Sequence, residues 1–126
     1  MPRHTWMGFL IVLAAHAATA AGRPDMVGHW ARGDGNVRVD IEPCGTNICA
    51  VNTWVRDKSD GEAVGDRLVM MLTPRSDSVL DGHAFDQKRD RTYTMRVTMQ
   101  LAGKMTTQGC ILGGLACKSQ NWTRIR

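Results

Sequence analysis

The side chains of this sequence able to do chemistry are few and widely spaced. His29 follows Gly28 and His83 follows Gly82. Either could exchange protons near neutral pH if a carboxylate oriented it, but no acid–base–nucleophile spacing accompanies them. Ser59, Ser76 and Ser78 stand in polar stretches without a nucleophile-elbow motif. No catalytic residue is assigned, and the expectation is a protein that is not an enzyme. Met95 and Met99 carry thioethers, which can bind Cu(I), yet methionine is the usual filler of irregular cores. Core filling is the preferred reading, with a small adaptable apolar cavity as its functional version. Lys88, Arg89 and Arg91 stand among Asp86 and Asp90. Such mixed signs suit a solvated turn better than a phosphate site. Asn121-Trp122-Thr123 has the form of a glycosylation acceptor but falls in an expected strand and is read as structural.

Cys44, Cys49, Cys110 and Cys117 form an even set spaced C-x4-C and C-x6-C. These spacings are looser than the pairs usual in structural zinc sites, so disulfides are expected, with no metal and no cofactor. Four cysteines allow three pairings. A two-residue turn at Gly113-Gly114 would set Cys110 opposite Cys117, and one at Thr46-Asn47 would set Cys44 opposite Cys49. Directly facing Cα atoms lie roughly 4.5–5.5 Å apart, within bridging reach. Loop entropy argues the other way, giving each small ring about 2 kcal/mol against about 4 for a Cys44–Cys117 link. Geometry favours the local pairs Cys44–Cys49 and Cys110–Cys117.

The elements that must hold these residues follow from the chain's layout. Arg3, the apolar run Trp6–Ala15 and Ala18-Thr19-Ala20 have the order of a secretory signal peptide. The apolar run is too short to span a bilayer as a helix. A leader over 1–20 and a single domain over 21–126 are therefore expected, with no membrane span and a periplasmic or secreted location. The formal net charge of +4 is mild and calls for no nucleic-acid partner.

Beyond the leader the hydrophobic period is two. Val37–Glu42 alternates apolar and charged residues up to Pro43, and Thr92–Leu101 alternates over its whole length. Tyr93, Met95, Val97, Met99 and Leu101 should share the inward face and are the candidate cavity lining. Cys49, Val51, Thr53 and Val55 form a further face, from which Trp54 points away with Ala50. Either a bulge shifts the register there or Trp54 covers an outer surface. Val64–Thr73 reads as a helical turn capped by Asp66 or as a strand. Turn signals at Asp34-Gly35-Asn36, Gly45-Thr46-Asn47, Asp60-Gly61, Asp81-Gly82, Ala102-Gly103-Lys104 and Gly113-Gly114 divide the rest. The expected fold is all-β: a small antiparallel up-and-down barrel of about seven or eight short strands with two disulfides.

Gly28-His29-Trp30 near the start and Trp122-Thr123-Arg124 near the end resemble the calycin (lipocalin-like) arrangement. That resemblance implies a barrel closed by Gly28, Trp30, Trp122 and Arg124, with Arg124 over the Trp30 indole. The longer string resembles a bacterial exported family, domain of unknown function 2147. It comprises Gly28, Trp30, Val39–Cys44, Cys49, Trp54, Gly65, Gly82, Asp86, Tyr93, Gly109-Cys110, Cys117 and Trp122–Arg124. The chain departs from the family at Ala50, at Leu80-Asp81 before Gly82, and in a short connection after Trp54. The family carries no agreed catalytic or binding residues. Two functions remain in view: an exported barrel binding a small apolar or amphipathic ligand, and an envelope protein-interaction module such as a hydrolase inhibitor.

Overall fold

A computed structural model describes residues 5, 8, 11 and 25–125. The expected leader over 1–20 lies, apart from those three positions, outside the described residues. Eight strands follow in order: β1 (Gly28–Arg32), β2 (Val37–Cys44), β3 (Asn47–Val55), β4 (Arg67–Pro74), β5 (Val79–Asp86), β6 (Arg91–Gln100), β7 (Lys104–Ile111) and β8 (Ala116–Arg124). Each pairs antiparallel with the next, and β1 pairs with β8 through Trp30↔Arg124, closing the barrel. Closure covers most of the sheet edge, with β1 pairing to the last three residues of β8, Trp122–Arg124. Among the described residues no helix is long and apolar enough to cross a membrane.

The alternation expected in β2 is met: Val37, Val39 and Ile41 are buried between exposed Arg38 and Glu42. β6 follows the same rule with Met95 and Val97 buried. Tyr93 is half-buried, and Met99 packs against the core. Leu101 corrects the expectation. It lies beyond the end of β6, 92% exposed, in a turn where Ala102 has φ 61°. The period of two holds only while the ladder continues, and the turn breaks it.

Val64–Thr73 resolves to strand from Arg67 onward, because Leu68, Met70 and Leu72 alternate toward the core. Asp66 caps no helix; its carboxylate accepts from the Ala63 amide at 3.0 Å. In β3 the ladder runs Arg38↔Trp54 and then Val39↔Asn52, leaving Thr53 as a bulge. Both alternatives for Trp54 are realised: the bulge is present, and Trp54 lies outside under the Arg38 guanidinium, 4.8 Å from the ring centroid. The face expected from Cys49, Val51, Thr53 and Val55 is corrected accordingly. Ala50 and Asn52 line the interior, and only after the bulge does Val55 join the core.

Both local disulfides are present, Cys44–Cys49 with Cα atoms 5.7 Å apart and Cys110–Cys117 at 4.1 Å. The second pair is directly opposed, as expected, although the connection is the four residues Leu112–Leu115 rather than two. The first is not opposed. Cys44 faces Asn47 and Glu42 faces Cys49, so the turn is Gly45-Thr46 and the bridge runs diagonally. At Gly82 (φ 158°) an added Cβ would collide with the Met71 carbonyl oxygen, so β4 and β5 approach closely only because no side chain intervenes.

Candidate functional site

Up-and-down order places the β1–β2, β3–β4, β5–β6 and β7–β8 connections at one end of the barrel. Three of them converge there. The β3–β4 connection crosses the end as a strap, with a single turn of 3-10 helix at Lys58–Asp60. Asn36, buried in the β1–β2 turn, fastens it: its Nδ2 donates to the Asp57 carbonyl (3.0 Å) and to Asp60 Oδ2 (2.8 Å). From the β5–β6 turn, Arg89 Nη2 and Lys88 Nζ donate to the Gly61 carbonyl at 3.0 and 3.2 Å. The mixed-charge stretch is the exposed turn expected of it, and it also takes part in this closure, Arg89 pairing with Asp86 at 2.8 Å.

Arg32 continues the inward face of Trp30, two residues on, and ends β1 beneath the strap. Its guanidinium, only 9% exposed, is held by Asp34 (2.9 Å) and more distantly by Asp60 (3.3 Å) and Glu62 (3.4 Å). Burial opposes its charge, but the hydrogen bond and attraction from Asp34, with Glu62 and Asp60 behind, outweigh that and hold it protonated. The Arg32 bond in turn keeps Asp34 below the usual carboxylate range. Asn52, also buried, donates from Nδ2 to Glu62 Oε2 (2.8 Å) and to the Ala63 carbonyl (3.1 Å).

Under this rim lies a cavity of about 180 Å³. Val37, Val39, Ile41, Leu68, Met70 and Met105 form its apolar walls, and Arg32, Asn52, Glu62, Asp66, Asp86 and Arg89 its polar opening. Of the five residues expected to line it, Met95 does so, and Tyr93 joins Met95 in an adjoining groove with Lys118 and Gln120. Val97 and Met99 belong to the core away from it, and Leu101 is in solvent. The walls come mainly from β2 and β4, whose alternation was legible. Arg32 could have been found from its phase with Trp30, whereas Asn52 left no signal because the bulge sits beside it. Met26, Met70, Met95 and Met105 all reach the cavity, giving it deformable walls.

At the opposite end Arg124 lies over Trp30, 4.3 Å from the ring centroid, and Trp30 Nε1 donates to the Met26 carbonyl at 2.9 Å. Gly28 opens β1 opposite Ile41, and Trp122 Nε1 donates to Thr107 Oγ1 at 3.0 Å. His29 stands across from Asp40 on the outer wall, Nδ1 3.6 Å from Oδ1 and half exposed. That carboxylate was not anticipated, but the separation exceeds hydrogen-bond reach. His83 pairs across the sheet with Met71 and Thr94. No cluster of His, Cys, Asp and Glu able to hold a metal occurs among the described residues.

Neither the curated proteins nor the solved structures contain a match to this chain. A family model described as an uncharacterized protein conserved in bacteria matches residues 28–124, from the first residue of β1 to the last of β8. The segment so matched is the whole closed barrel, both disulfides and the Trp30–Arg124 closure included, and the chain belongs to this family, DUF2147.

Proposed function

We propose that this protein is a non-catalytic, exported barrel of the calycin type that takes a compact amphipathic or apolar ligand into its interior. One observation carries the reading: a cavity of about 180 Å³ with aliphatic and methionine walls beneath a charged rim. An apolar cavity of about 150 Å³ in another protein stays dry and binds benzene, whereas drug-sized pockets run to about 300–1,000 Å³. The ligand is therefore a compact molecule, its apolar body inside and any polar group at the strap. Two disulfides in so small a barrel support export, and the Arg124–Trp30 contact with eight-strand closure supports the calycin assignment.

The test is native mass spectrometry of protein recovered directly from an exporting host, together with titration of a small apolar dye. A bound mass or saturable dye uptake is expected; unliganded protein that also ignores the dye overturns the reading. A second reading, an envelope interaction module, draws on Leu112 and Leu115, which are 71% and 89% exposed on the disulfide-stapled β7–β8 connection. It ranks below the first because exposed apolar residues are divided between the two ends, Leu101 lying at the other.

A further inference from the structure

Resting on that ligand-binding reading, the rim chemistry narrows the ligand. Glu62, on the strap, spans two buried donors: Oε1 accepts from Arg32 Nη1 at 3.4 Å and Oε2 from Asn52 Nδ2 at 2.8 Å. Each donor has a second partner. Arg32 is gripped by Asp34 through Nε (3.0 Å to both oxygens) and Nη2, and Asn52 also donates to the Ala63 carbonyl. If Glu62 withdrew, both would keep their aim toward the cavity opening that they line. Glu62 itself is a quarter exposed, so its side chain can turn to solvent while the strap backbone stays held by Arg89 and Lys88 at the Gly61 carbonyl.

We infer that Arg32 and Asn52 form a carboxylate subsite which Glu62 occupies in the free protein, so that the ligand is a compact monocarboxylate. Its carboxylate replaces that of Glu62 while its apolar body enters between Val39, Ile41, Met70 and Met105. The exchange swaps one anion for another against the same donors, so the charge balance around Arg32 is preserved once Glu62 turns to solvent. An ammonium head would find the rim carboxylates already paired, Glu62 with Arg32, Asp66 with Lys88 and Asp86 with Arg89. A hydroxyl would leave Arg32 with a neutral partner, a weaker bond than a charge-assisted one.

The experiment titrates the disulfide-bonded protein with phenylacetate, phenethyl alcohol and phenethylamine, following backbone amide shifts, beside the apolar dye. Phenylacetate should bind about tenfold more tightly than the alcohol, the difference expected of a charge-assisted hydrogen bond. The amine should bind no better than the alcohol. Glu62→Gln, which keeps an acceptor on the strap but removes its charge, should widen the acid-to-alcohol ratio by about fivefold. Equal binding of acid and alcohol, or a ratio that Glu62→Gln leaves unchanged or narrows, overturns the carboxylate subsite while ligand binding stands. Dye uptake without binding of any of the three does the same. If neither dye nor the three compounds bind, the cavity reading falls with it.

Discussion

Arg124, the last residue of β8, lies over the indole of Trp30 on the first strand, 4.3 Å from the ring centroid. The same guanidinium donates to the Val27 and Asp25 carbonyls at 2.6 and 2.9 Å. One side chain therefore closes the barrel, covers its most deeply buried aromatic group and ties down the segment before β1. Arg124→Ala should cost about 2 kcal/mol, from the cation–π contact and the lost carbonyl partners. Arg124→Lys should recover only part of it, since a single ammonium cannot both cover the ring and fork to two carbonyls. Urea unfolding curves compared at unchanged slope measure both.

Gly82 offers a sharper stability test. Gly82→Ala drives a methyl group into the Met71 carbonyl oxygen, so the two strands must separate, and a loss above about 3 kcal/mol is expected. At Gly109 an added Cβ meets only Tyr93 at 3.9 Å, and Gly109→Ala should stay within about 0.5 kcal/mol of the parent. Thermal melts of the two variants side by side decide whether the β4–β5 approach is as close as described.

Acid should loosen both ends of the barrel. Asp34 is held below its ordinary value by the Arg32 hydrogen bond, and Asp81 below its own by Arg75. A depressed native pKa means stability that is fully present above the unfolded value of about 3.9 and is lost as pH falls through the native one. The melting temperature should therefore hold steady above about pH 5 and fall on acidification below pH 4. Asp34→Asn should lower stability at neutral pH and flatten that acid limb; an unchanged limb argues against the Arg32–Asp34 pair.

Each disulfide closes a small ring, for which chain entropy gives about 2 kcal/mol. Replacing Cys44 and Cys49, or Cys110 and Cys117, by alanine should lower stability by about that amount while the β-rich circular dichroism spectrum persists. The eight-strand ladder, not the bridges, then carries the fold. Loss of the spectrum in either pair of substitutions would reverse that ranking.

Filling the cavity should block uptake without unfolding the barrel. Val39→Phe places a ring between Ile41 and Met105, where about 180 Å³ is open. Dye binding should be abolished, and the melting temperature should change little because the added surface replaces empty space. Retained dye binding would place the dye outside the barrel.

Strand identity was legible wherever one face is dry. Val37, Val39 and Ile41 in β2, and Met95 and Val97 in β6, alternate because a half-buried strand permits nothing else. Local cysteine pairing was legible too, since a short antiparallel connection brings the cysteines near each other whatever the register, even where Cys44 and Cys49 proved diagonal. The fate of Leu101 was not, because alternation carries no mark of where the ladder stops. Nor was the inward turn of Asn52, which depends on one extra residue at Thr53. Above all, the site was hidden. Arg32, Asn36, Asn52, Glu62 and Arg89 are polar residues in separate turns and strand ends, each ordinary alone. They become one network only when closure of the sheet brings three connections over one end, where the buried members Arg32, Asn36 and Asn52 must each find an acceptor.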